Sequence, residues 1–209
     1  MKIIIFGATG GTGQELITQA LGQGFEVTAF VRNPKKLKFE DKNLRAVQGD
    51  VLDIDSVDTA IEGHDAVICA IGHPSIMDKS LIRTKGTRNI IKAMKKKNIK
   101  RLICQSSVGV GDSVELLPPI YRYLIAPLLM RNLFADHLEQ EMHIMESGLD
   151  WTIIRPGNLT DGELTKNYQH GYIKGDSIKT KISRADAAHM MLDQVESGDY
   201  LHQSPSISY

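Results

Sequence analysis

Glycines at positions 7, 10 and 13 follow directly on the apolar run Ile3-Ile4-Ile5-Phe6. Glycine turns the backbone at positive φ, and without a Cβ it lets an anionic group come against the main chain. The helix that starts there offers unpaired N–H donors and the positive end of its dipole. Glycines so placed hold a pyrophosphate, and the reading is a dinucleotide site. The spacing is G-x-x-G-x-x-G rather than G-x-G-x-x-G, and a glycine triplet alone is also found at ordinary strand-turn-helix junctions. What favours the nucleotide is the buried strand before the glycines and the helical spacing of Leu16, Ile17, Ala20 and Leu21 after them.

Other chemistry-bearing residues stand where further strands end. An acid about 20 residues beyond the glycines accepts the ribose 2′-hydroxyl of NAD, whereas a guanidinium there pairs with the 2′-phosphate of NADP. Here the second strand ends Phe30-Val31-Arg32-Asn33, with Lys35 and Lys36 close behind, so Arg32 selects NADP(H) unless it is simply a solvated arginine. Asp50 and Val51 follow the third strand and are placed to hold the adenine edge, Asp50 having capping of the next helix as its alternative. Ala70, Ile71 and Gly72 follow the fourth strand, where small residues let the cofactor pass closely. Ser106 and Ser107 end the fifth. Short-chain dehydrogenases follow such a serine with a Tyr-x-x-x-Lys pair whose tyrosine is the acid; no tyrosine here has a lysine four residues later, so that proton donor is missing. That argues against alcohol oxidation and against sugar-nucleotide epimerisation or dehydration by that route. His73 offers a candidate proton donor, with a solvated loop histidine as the plainer reading.

These residues need a scaffold, and the chain supplies one by alternating short β-branched runs with helical patterns. Strands are expected at 2–6, 26–31, 44–48, 66–70, 101–105 and 151–155. Helices are expected after Gly10, from Asp55 to Gly63, over 78–97, over 136–146, and from the Ser183-Arg184-Ala185-Asp186 capping-box variant to about Val195. Such alternation specifies an α/β fold: a Rossmann-type, doubly wound parallel sheet in three α/β/α layers. After the fifth strand Gly109, Gly111, Pro118, Pro119 and Pro127 interrupt an apolar, tyrosine-bearing segment from Ile120 to Phe134 that reads as a lid or substrate wall, or as cover for the sheet edge. Tyr121, Tyr123 and the loop from Asn158 would then wall a cavity over the nicotinamide.

Composition narrows the function classes. The 209 residues carry 25 basic and 25 acidic side chains, so no global field recruits nucleic acid or an anionic membrane. The lysine run 95–97 fits a helix C-terminus better than a nucleic-acid patch, since no aromatics are interleaved. Cys69 and Cys104 sit in apolar runs without metal-ligand spacing, as reduced core cysteines of a cytoplasmic protein would. No metal is expected, no stretch reads as a signal peptide or membrane span, and 1–209 reads as one NAD(P)-binding domain with small substrate-side elements near its C-terminus, a monomer or weak dimer.

Over nearly its whole length the chain resembles the atypical short-chain dehydrogenases that bind NAD(P)H, an NmrA-like group, and within it the branch of NADPH-dependent flavin reductase, or biliverdin reductase B. The resemblance lies in Ile-Phe-Gly-Ala-Thr-Gly at 5–10, Val-Arg at 31–32, Gly-Asp-Val-Leu at 49–52 and Asp-Ala-Val-Ile at 65–68. It continues in Arg-Asn-Ile at 88–90, Asp-His at 136–137 and Glu-Ser-Gly-Leu at 146–149. It implies that Gly7, Thr9, Gly10, Gly11, Thr12 and Gly13 hold the pyrophosphate and that Arg32 and Lys36 hold the 2′-phosphate. It further implies that Asp50 and Val51 contact adenine, that Gly72 lies at the ribose, and that Ser107 lies by the nicotinamide; Pro156 is a further candidate cofactor-binding residue. The implied reaction is hydride transfer to a flat conjugated acceptor such as a flavin, quinone or tetrapyrrole, for which no strong acid is needed. The chain reads Arg155-Pro156-Gly157-Asn158 where the reductase branch carries Pro-Pro-His, which resembles the more general atypical dehydrogenases, including regulatory members that bind NADP without turning it over. An NADP(H) redox sensor is therefore the alternative.

Overall fold

The computed structural model describes residues 1–72, 80–171 and 181–209. Its centre is β1 (Lys2–Phe6), five residues of which four are apolar and fully buried. Ile3 and Ile5 point to one face and Ile4 and Phe6 to the other, so a strand apolar throughout needs cover on both sides. Around it stand β2 (Glu26–Val31), β3 (Leu44–Gln48), β4 (Ala66–Cys69), β5 (Arg101–Gln105) and β6 (Asp150–Pro156). They pair in parallel in the order β3-β2-β1-β4-β5-β6, with the chain reversing direction across the sheet between β1 and β4. This is the doubly wound order, and ligands of such sheets lie beyond the carboxyl ends of the strands at that reversal.

One face is covered by α1 (Gly11–Gly22) and α6 (Arg184–Glu196), packed on Ile3, Ile5, Ile68, Ile103 and Ile154. The other is covered by α2 (Ile54–Ala60), α3 (Ile82–Lys96) and α5 (Arg131–Met145) over Ile4, Phe6, Val67, Leu102 and Ile153. The expected α/β/α layering is thus present, and six expected strands are found within a residue of their ends.

The departures have local causes. α2 starts at Ile54 because Asp53, not Asp55, is its cap: the Asp53 carboxylate accepts the Asp55 N–H at 3.1 Å. α5 starts at Arg131, five residues ahead of the expected Asp136. The apolar stretch before it is itself helical, as a π-helical turn at Tyr121–Ile125 and α4 (Ala126–Leu129). The expected start of the helix at 78 lies outside the described residues. Four strands of three residues each escaped the pattern: β7 (Asn158–Thr160), β8 (Gln169–Gly171), β9 (Lys181–Ser183) and β10 (Ser206–Ser208). β10 extends the sheet in parallel beside β6, β8 closes it antiparallel, and β7 and β9 form a separate pair. The N-terminus of α6 follows the expectation, with the Ser183 hydroxyl accepting the Asp186 N–H at 2.9 Å.

Candidate functional site

The turn from β1 into α1 is tied by the Gly10 N–H to the Gly7 carbonyl at 2.9 Å, with Gly7 at φ +85°. A Cβ on Gly7 would sit 2.2 Å from the Ala70 carbonyl oxygen, and one on Gly13 2.2 Å from the Gly7 carbonyl oxygen. These two glycines therefore serve the close approach of loop, β4 and helix to one another, and leave Gly10 and Gly11 exposed at the start of α1. No side chain caps Gly10 and no acid occupies the first turn of α1, so its leading N–H groups face outward as donors for an anion. Thr9 is partly buried beside them and Thr12 is buried. This is a cradle of the kind a pyrophosphate fits.

From that turn a cleft of about 230 Å³ runs over the ends of β1, β2 and β4, with Gly7, Thr9, Gly10, Arg32, Val51, Ile71 and Gly72 along it. Arg32 is exposed, its backbone carbonyl held by the Gln48 side-chain amide at 3.3 Å. No carboxylate pairs with it among the described residues. Lys36 ends the 3-10 turn Pro34–Lys36 and is exposed outside the cleft lining, as the Asn33 side chain bonds the Lys35 N–H and turns the chain away. The Asp50 carboxylate accepts the Leu52 N–H at 2.9 Å and so shapes the turn, while its neighbours Gly49 and Val51 line the cleft. Ala70 lies under Gly7 and takes no part in the lining.

Two features of this cleft were not visible in the sequence. Phe30 reads as strand core, yet it forms part of the cleft wall, packed on Phe6 at 4.8 Å between ring centres. Gly86 brings α3 against Val51, where a Cβ would lie 2.8 Å from a Val51 methyl, and Asn89 bonds the Val51 carbonyl at 2.9 Å. The signals for both are tertiary.

Beyond Gly72 the next strand ends are those of β5 and β6, and there a smaller cavity of about 60 Å³ is walled by Leu117, Pro118, Tyr121, Met130 and Phe134. Its polar side chains are Ser107, Asn158 and Tyr121; the Ser107 hydroxyl donates to the Val108 carbonyl at 3.0 Å. Ser106 points the other way, buried, 3.4 Å from Nδ1 of His137. His137 is correspondingly a buried group of α5. Tyr121 lines the cavity, but Tyr123 is 71% exposed and outside it, with the Arg122 guanidinium 5.3 Å from its ring centre. Pro156 is buried as the last residue of β6, its carbonyl accepting the Val108 N–H at 2.9 Å. His73 lies outside the described residues.

Buried charges fix this frame. Arg155 makes two bonds to Glu141, at 3.0 and 2.7 Å, and one to Asp112, tying β6 to α5 and to the loop after β5. Asp136 of α5 accepts the N–H groups of Arg83 and Thr84 and thereby caps α3 from across the layer. Burial lowers the pKa of Arg83, opposed by the nearby Asp136 carboxylate. Cys69 and Cys104 are register partners on β4 and β5, free and buried. The contact with Cys69 and burial push the Cys104 thiol well above its usual range. Among the described residues no cluster of three or more His, Cys, Asp or Glu could hold a metal, and no helix is long and apolar enough to cross a membrane.

Residues 7–198 match the family model described as NAD(P)H-binding. The chain belongs to that family. An uncharacterized chloroplastic protein of Arabidopsis thaliana is 33% identical over 79% of this chain, which spans 62% of that relative's length. YwnB of Bacillus subtilis is 28% identical over 97% of this chain and 96% of its own, and oxidoreductase aflX of Aspergillus parasiticus 25% identical over 99% and 82%. Among solved structures, the oxidoreductase ylbE of Lactococcus lactis superposes with a TM-score of 0.84 over 100% of this chain and 90% of its own, at 23% identity. At that identity it is the fold that is shared. Membership bears out the nicotinamide dinucleotide expected from the glycine turn.

Proposed function

We propose that the protein is an NADPH-dependent reductase that passes hydride to a planar, conjugated acceptor. The observation that carries this is the order of sites along one sheet edge. The cleft with Arg32 lies over β2, β1 and β4, and an apolar cavity follows at the ends of β5 and β6. A nicotinamide bound through that cleft supplies hydride. The chain's own part is to hold the 2′-phosphate at Arg32, to bring the reacting ring to Ser107 and Asn158, and to exclude water with Leu117, Tyr121 and Phe134. The family name and relatives named as oxidoreductases support the redox class. The flavin reductase resemblance supports a flavin or quinone as acceptor, in a single-domain monomer or weak dimer. Reduced core cysteines support a cytoplasmic setting.

Beside Ser107 and Asn158 the cavity offers the Tyr121 hydroxyl but no carboxyl or imidazole, and no lysine stands four residues after Tyr121 to activate it, which favours acceptors already electrophilic. The same poverty of proton donors supports the second reading, an NADP(H) sensor without turnover. Following NADPH loss with FMN, riboflavin and simple quinones separates the two. Turnover above the free-solution rate, lowered in kcat by Ser107→Ala, supports the reductase; no turnover with any acceptor leaves the sensor.

A further inference from the structure

The cradle at the start of α1 is built from backbone N–H groups and two threonines, and none of the residues so far assigned to it brings a positive charge to a group that carries two negative ones. A cation does lie against it. Arg184, first residue of α6, runs its side chain across Gly11: a Cβ on Gly11 would stand 2.5 Å from Cδ and 2.6 Å from Nε of Arg184. Gly11 thus has a use beyond that of Gly7 and Gly13, since it admits a guanidinium to the helix start.

The position of Arg184 is well fixed. Its neighbour Asp186 is fully buried and accepts bonds from Ser183, Thr165, the Lys166 N–H and Tyr209, while Gln19 of α1 bonds the Ala185 carbonyl at 2.8 Å. Its charge is not fully engaged. The side chain is 30% exposed, and its partner is Asp161, which is 96% exposed, an ion pair that water and salt weaken. A dianion resting on uncapped helix N–H groups is the stronger claimant.

We propose that Arg184 is the cation for the cofactor's pyrophosphate and that Asp161 holds it when no cofactor is bound. Arg184 then leaves the Asp161 carboxylate for the pyrophosphate, and Asp161, which follows β7, gives up this one ion pair while Thr165 and Lys166 keep the segment bonded to Asp186 of α6. This rests on the nicotinamide dinucleotide reading of the cleft.

Binding of two probes to the intact chain tests it: NADPH, and adenosine 2′-monophosphate, which carries the 2′-phosphate without the pyrophosphate. Arg184→Ala should weaken NADPH by about tenfold and leave the monophosphate within about twofold of wild type. Asp161→Asn, which frees the guanidinium, should tighten NADPH by about two- to fivefold, and that gain should vanish in the double variant. An NADPH Kd within about twofold in Arg184→Ala, or equal losses for both probes, overturns the proposal, as does unchanged or weaker NADPH binding in Asp161→Asn. Should Arg184→Ala fail to fold, the sign of the Asp161→Asn effect decides alone. Wild type that binds neither probe would bring down the cofactor reading itself.

Discussion

Arg32 is the one charged side chain along the cleft among the described residues, and it has no acidic partner to give up when a phosphate arrives. Its bonds to a 2′-phosphate would be charge-assisted, each worth about 1.5–3 kcal/mol. Arg32→Ala should therefore weaken NADPH by about tenfold or more and leave NADH nearly unchanged, as measured by titration of the nucleotide's fluorescence. Equal losses would mean that the residue supports the cleft without reading the phosphate. Arg32 was legible from sequence because a strand end fixes where it must lie. Phe30 and Arg184 were not: one was hidden in the apolar run of β2, and the other reaches Gly11 only through the packing of α6 on α1. Ser106 and Ser107 were legible only as a pair, since which of them faces the cavity depends on how the chain leaves β5.

At the scale of elements, the start of α6 depends on one carboxylate. Burial works against ionisation of Asp186, but bonds from the Tyr209 hydroxyl, from the Lys166 and Thr165 N–H groups and from the Thr165 hydroxyl outweigh it and hold the carboxyl below the usual 3.8. A carboxyl that titrates lower in the folded chain stabilises the fold above its unfolded pKa and loses that contribution as pH falls through its folded one. Asp186→Asn should accordingly cost about 1–3 kcal/mol at neutral pH. In thermal unfolding followed by circular dichroism, the gap in Tm from wild type should close as pH falls below about 4. A gap that is constant with pH would assign the cost to geometry alone. This cap could be read from Ser183 and Asp186 because both lie within one turn. β7 to β10 could not be read, since three residues give no period, and their pairing is set by partners distant in sequence. The α5 start was misplaced for a similar reason: prolines 118, 119 and 127 suggested loop, whereas the chain turns through a π-helical stretch instead.

For the molecule as a whole, cofactor binding and stability are coupled, because the cleft is assembled from β1, β2, β4 and α3 and exists only in the folded chain. A ligand at one hundred times its Kd adds about 2.7 kcal/mol. For a chain of this size that is a rise in Tm of about 5–10 °C. Scanning calorimetry should show that rise with NADPH and a smaller one with NADH at equal concentration. Identical rises would remove the phosphate preference. The doubly wound architecture was the most legible level of all, because six runs of apolar residues separated by helical spacing leave few other ways to bury both faces of a sheet.

The place of β10 has a consequence for synthesis on the ribosome. β6 is made at residues 150–156, yet the strand that covers its outer edge comes only at 206–208, and Tyr209 delivers the hydroxyl that helps anchor Asp186. Until that stretch has cleared the exit tunnel, the nascent sheet carries an open hydrogen-bonding edge along β6, the state in which chaperones would find it and in which premature termination would leave it.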